Sequence, residues 1–168
     1  MLHRSIRFVT FRWGLGGLAR LKPEEEQELR KLLAQGADGE QLQSFYEGYD
    51  AKTIPESVYL EHLAQLNAAF AEHDLRLQDG RAFLTGDSLT MADVIWAMKT
   101  LRLQECGYPF DPCFPTYAAW YQRVTSRPAF QEGVMGKHRL MSRAFRAKAK
   151  LEHLLGKGLR REVLKLAA

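Results

Sequence analysis

GDSLTMADV, residues 86–94, carries a glycine turn, a threonine, an aspartate three places on and then an apolar run. That order is the signature of a helix start. Thr90 at the N-cap accepts from the Asp93 amide, and the Asp93 carboxylate reaches back to the Thr90 N–H. Two amides without intrahelical partners are thereby satisfied at the positive end of the helix. Leu89 and Val94 flank the cap at the spacing of a hydrophobic staple. A cap of this kind contributes about 1 kcal/mol. The spacing gives Thr90 and Asp93 a structural role rather than a catalytic one, and it makes the next element a helix.

Helical periodicity extends outward from this point in both directions. Tyr59, Leu63, Leu66, Phe70, His73 and Leu77 recur at alternating steps of four and three, one stripe of a long amphipathic helix over residues 56–78. Residues 78–88 read as a loop. Residues 90–105 form a helix with Val94, Met98 and Leu101 on one face. The proline-rich GYPFDPCFP, residues 107–115, is a loop. TYAAWYQRVTS, residues 116–126, is a short helix ended at Arg127-Pro128, because the residue before proline avoids the α region. A further helix follows Pro128 toward the basic tail. Upstream, residues 22–36 and 39–49 read as short helices. Residues 4–21 read as an apolar, basic helix that breaks or packs closely at Gly14–Gly17. No segment alternates with period two and no βαβ unit appears. The fold class is all-α, a single bundle of about five to six helices.

The chain has 168 residues, 46% apolar and 26% charged, enough for one domain with a core. No apolar run approaches membrane-spanning length, and Arg4, Arg7 and Arg12 interrupt any secretory h-region. Cys106 and Cys113 are too few for a disulfide framework, so free thiols and a cytoplasmic setting are expected. The net charge of +4 conceals an uneven distribution. Residues 1–22 hold five Lys/Arg and no acid, residues 23–136 nine against eighteen acids, and residues 137–168 ten against two. This divides the chain into a helical domain, 1–136, and a basic amphipathic helical extension, 137–168. In the extension Leu151, Leu155, Leu159, Val163 and Leu166 fall near one helical face, the pattern of a helix on an anionic membrane surface or against a partner. Against this, Gly156 and Gly158 each cost about 1 kcal/mol in a helix and favour a frayed tail. No motif for specific nucleic-acid binding accompanies the charge.

No catalytic or metal-binding constellation is visible. The two cysteines are not in a Cys-x-x-Cys, and His3, His62, His73, His138 and His153 form no i,i+4 pair, so no metal is expected. Gly14–Gly17 lacks the Lys-Ser/Thr of a phosphate loop. Trp96, Tyr117, Trp120 and Tyr121 belong to the core or to domain contacts.

FLTGDSLTMADV, residues 83–94, followed by FPTYAAWYQRVTSRPAF, residues 114–130, resembles the C-terminal helical domain of cytosolic glutathione transferases. The resemblance implies an all-helical domain that follows a thioredoxin-like one, where glutathione binds and a Tyr, Ser or Cys activates its thiol. Nothing before residue 83 has that pattern, so no catalytic residue carries over and these residues alone are not expected to conjugate glutathione. No cofactor is implied; glutathione enters as co-substrate only if a thioredoxin-like domain is supplied. In the family the first helix of this domain lines the cleft for the apolar electrophile. Its equivalent would place Phe8, Phe11, Arg12 and Trp13 on that wall, against the plainer reading of core packing. Left partly uncovered, this segment would self-associate or receive a thioredoxin-like domain. The alternative is a non-catalytic helical docking module for protein–protein interaction.

Overall fold

The computed structural model describes residues 2–15, Gln27, Lys31 and 55–166, and among them every regular element is helical. Of the helix expected over residues 22–36 only Gln27 and Lys31 are described, both helical; the helix expected over 39–49, and Gly16 and Gly17, lie outside the described residues. Helix α1 (Leu2–Thr10) runs into a π-helical turn, Phe11–Leu15. Then come α2 (Glu56–Leu77), α3 (Met91–Glu105), the short α4 (Phe110–Cys113) and α5 (Pro115–Thr125). A turn, α6 (Pro128–Phe130), leads through a second π-helical turn (Gln131–Met135) into α7 (Gly136–Leu154), and α8 (Leu159–Leu166) follows.

Helix α2 is the axis of the packing: α1, α5 and α8 all lie against it. It starts behind Pro55 with Glu56 in its first turn and ends with Arg76 in its last, the polarity the macrodipole favours. Its stripe is the one read from the sequence, with Tyr59, Leu63, Leu66, Phe70 and Leu77 buried. Phe70 is the centre of an aromatic cluster, with Trp96, Tyr108, Phe110, Phe114 and Tyr117 ring centroids 5.0–6.0 Å away. The pairs with Trp96, Tyr108 and Phe110 are edge-to-face, a geometry that adds about 0.5–1.5 kcal/mol each beyond the area buried. His73, on the edge of the stripe, is half-buried against the Trp96 and Tyr117 rings.

Helix α3 departs from expectation. Its inward face runs through Asp93, Ala97, Thr100 and Leu101, whereas Val94 is 40% exposed and Met98 only half-buried. A face carrying a carboxylate and a hydroxyl gives no apolar stripe. The burial is tolerated because both groups are hydrogen-bonded: the Thr100 hydroxyl donates to the Trp96 carbonyl at 2.8 Å and pairs with the Tyr117 hydroxyl at 2.8 Å. The helix ends at Gly107, φ +91°, where Tyr108 N–H bonds the Leu103 carbonyl and Gly107 N–H the Gln104 carbonyl, each at 3.0 Å. This is the Schellman arrangement that glycine permits.

The tail is neither frayed nor one continuous helix. Helix α7 packs on α3, and α8 packs on α7 and α2. Between them the chain repeats the Schellman arrangement: Gly156, φ +71°, donates to the His153 carbonyl at 3.0 Å and Lys157 to the Glu152 carbonyl at 2.8 Å. The glycines that weaken a continuous helix are the ones that stop α7 and turn the chain back. The single leucine face is thereby split. Leu159 and Val163 are buried, while Leu151, Leu155 and Leu166 remain 58%, 66% and 47% exposed. No helix among the described residues is long and apolar enough to cross a membrane.

Candidate functional site

Asp93 is fully buried and accepts four hydrogen bonds. Oδ2 takes the Thr90 N–H at 2.8 Å and the Thr90 hydroxyl at 2.9 Å. Oδ1 takes the Leu84 N–H and the Trp120 Nε1–H, both at 2.9 Å. Thr90 and Asp93 form the capping box, but the carboxylate does more than cap. It ties the 83–90 loop to the start of α3 and both to α5. Leu84 is positioned for this by a tight turn in which the Phe83 and Gly86 N–H groups exchange bonds with each other's carbonyls at 2.8 and 3.2 Å. Burial alone would raise the Asp93 pKa; the Leu84, Thr90 and Trp120 donors outweigh it and hold the carboxyl below its ordinary range. Leu89 and Val94, the expected staple, are 37% and 40% exposed.

A second buried carboxylate was invisible in the sequence pattern. Asp74 on α2 accepts the Tyr117 N–H at 2.8 Å. Tyr117 lies in the first turn of α5, so one helix supplies an acceptor to the orphan amides of another. Asp74 sits between His73 and Leu75 on a helix side, with no capping spacing to reveal it.

The aromatic–basic segment meets the tail. Trp13 Nε1–H donates to the Tyr59 hydroxyl at 2.9 Å, and that hydroxyl donates to Glu162 Oε2 at 2.5 Å. Arg12 lies 4.0 Å over the Tyr59 ring, pairs with Glu56 at 2.7 Å and stands 3.8 Å from Glu162. Lys148 of α7 donates to the Trp13 carbonyl at 3.0 Å. The N-terminal π turn, the start of α2 and both C-terminal helices thus share one polar junction. Phe8 is separate from it: it is 7% exposed and stacks on His62 at 4.3 Å. Its neighbour Ser5, also buried, hydrogen-bonds His62 Nδ1 at 2.9 Å and Gln65 at 3.0 Å. The expected electrophile wall therefore divides. Phe8 is core, while Phe11 and Trp13 are half-buried and Arg12 is exposed.

Among the described residues burial shifts the thiols and phenols away from ionisation. Burial pushes the Cys106 thiol up to about 12 and raises Cys113 as well. Burial also raises the Tyr59, Tyr108 and Tyr117 hydroxyls, and pushes Tyr121 up to about 12. Both cysteines are free. Among the described residues no three His, Cys, Asp or Glu side chains converge as metal ligands. A depression of about 360 Å³ between Asp79, Arg81, Thr85 and Asp87 is open and polar, and its Asp79–Arg81 pair closes on itself at 2.5 Å.

No curated protein and no solved structure matches the chain. A family model does: that of the glutathione S-transferase C-terminal domain, over residues 18–128. The matched range takes in α2 through α5, the Asp93 junction and the Asp74 contact. It begins downstream of Phe8, Phe11, Arg12 and Trp13, and it ends at Pro128, before α7 and α8. By that match, which spans well over half of its length, the chain belongs to the glutathione S-transferase C-terminal domain family.

Proposed function

We propose that these residues act as the helical half of a glutathione transferase-like protein, holding an apolar electrophile for a thiolate delivered from a thioredoxin-like domain. The observation that carries the reading is the π-helical turn at Phe11–Leu15. It sets half-buried Phe11 and Trp13 beside the exposed Arg12 guanidinium. Such turns widen a helix and recur at functional sites. An aromatic ledge suits a flat, electron-poor ring by stacking, and the cation beside it suits the negative charge that the ring's substituents gain on thiolate attack. The contribution to rate is positional: fixing the electrophile against the incoming sulfur removes the entropy of bringing two molecules together. Burial raises the pKa of both thiols and of the Tyr59, Tyr108, Tyr117 and Tyr121 phenols, which favours a nucleophile brought from outside these residues.

The test combines turnover and binding. The chain mixed with glutathione and a chloronitrobenzene should give no conjugation above the uncatalysed rate. Equilibrium dialysis should show binding of the chloronitrobenzene, weakened about tenfold by Trp13→Ala, the equivalent of 1.4 kcal/mol. Turnover by the chain alone, or binding indifferent to Trp13→Ala, would overturn the assignment.

A further inference from the structure

Helix α7 has two distinct faces, and among the described residues only one packs against the rest of the chain. The inner face holds Ser142, 2% exposed, and His138, whose Nε2 meets Glu105 at 2.8 Å. It also holds Ala149, packed so closely on the α3 terminus that a Cβ at Gly107 would lie 3.0 Å from its own. The outer face carries Leu140, Ala144, Ala147, Leu151 and Leu154, spaced four, three, four and three, all exposed. Leu140, Leu151 and Leu154 are 81%, 58% and 73% exposed, and Met141 and Leu155 widen the face at 56% and 66%. Burial of these leucines on a partner would be favourable in proportion to the apolar area removed from water.

Charge selects the occupant. From residue 137 to 151 there are six Lys/Arg and no acid. Arg139, Arg143 and Lys150 are exposed on the margin of the apolar face, and among the described residues none pairs with a carboxylate. A second copy of α7 would set these cations against themselves. The apolar spacing lasts about two heptads, short of the three to four that specify a coiled coil. A broad apolar face bordered by cations, on a helix lying flat against its own domain, fits a sheet of phosphates over acyl chains. We propose that α7 docks on an anionic bilayer surface, with the leucines entering the acyl boundary and Arg139, Arg143 and Lys150 on the headgroups. This surface shares no residue with the electrophile reading and stands without it.

Vesicle co-sedimentation of the full chain tests the proposal, with phosphatidylcholine alone and with about one third phosphatidylserine. Binding should need the anionic lipid and fall about tenfold as salt shortens the screening length. Leu151→Asp with Leu154→Asp, or Arg143→Glu with Lys150→Glu, should each cost tenfold or more. Leu75→Asp, at an equally exposed leucine on α2, should cost nothing. Circular dichroism confirms that each variant keeps its helices. No binding to anionic vesicles at low salt would overturn the proposal, as would equal binding to neutral ones or indifference to the α7 substitutions. Self-association abolished by Leu151→Asp, or capture of a synthetic acidic two-heptad helix without vesicle binding, would assign the face to a protein instead.

Discussion

Two polar clusters hold this molecule together, and they differ in kind. The one at Asp93 is buried and complete: one carboxylate, four donors, partners nine and twenty-seven residues away at most. The one at Tyr59 is half-open and long-ranged, joining residues 46 and 103 positions apart through a single hydroxyl. In the first, the Leu84 amide and the Trp120 indole N–H are cut off from water, so removing the acceptor strands both at once. In the second, Tyr59 is buried but Trp13 and Glu162 are only half-buried, so solvent can replace the partner that they lose. The same count of hydrogen bonds therefore has very different weight.

The comparison predicts an order of effects. Asp93→Ala should destabilise the chain by about 3 kcal/mol or more, since it leaves the Leu84 amide and the Trp120 indole N–H buried without acceptors. Urea denaturation gives the value; a loss near the 1 kcal/mol of a simple cap would reduce Asp93 to a capping residue. The same group sets a pH dependence. Its folded pKa is depressed, so its stabilisation is present above the ordinary carboxylate pKa of about 3.9 and is lost as pH falls through the lower folded value. Asp93→Asn should therefore flatten the loss of stability below about pH 4, and an unchanged acid limb would place the titration elsewhere.

Tyr59→Phe should cost less, about 1–2 kcal/mol, because Trp13 and Glu162 lose one partner but stay near water. Hydrogen exchange should then show faster opening of α8 than of α3; uniform change would mean that the junction does not hold the tail. Thr90→Ala should cost about 1 kcal/mol, and in a double-mutant cycle with Asp93→Ala the two losses should fall short of additivity. Glu56→Gln, which removes an exposed ion pair with Arg12, should cost a few tenths of a kcal/mol at most and less in high salt.

Legibility in the sequence follows the same division. The α2 stripe and the Thr90–Asp93 cap depend on residues one helical turn apart, so spacing exposed them. The full reach of Asp93 did not appear, because Leu84 and Trp120 approach it only after the loop and α5 have folded. Asp74 and Thr100 have no local spacing to mark them, because the partner of both, Tyr117, approaches only when α5 has packed. Gly156 and Gly158 gave a true signal with the wrong sign: poor helix formers in mid-tail, they are the stop between two helices. At the candidate ledge, Phe8 and Trp13 look alike in sequence. Only the stacking of Phe8 on His62 and the exposure of Arg12 separate core from surface.

The close approach of Gly107 to Ala149 bears on how this protein tolerates change in length. A residue inserted or deleted between His138 and Ala149 turns the rest of α7 by about 100°. Either the Ala149 contact is lost, or the leucines beyond it rotate toward α3 and the cations take their place outside. A single compensating side chain does not repair that, because the rotation moves every residue beyond the change together. Substitutions on the outer face should leave the fold intact, but the segment should accept insertions only in units near seven residues, which restore both faces together.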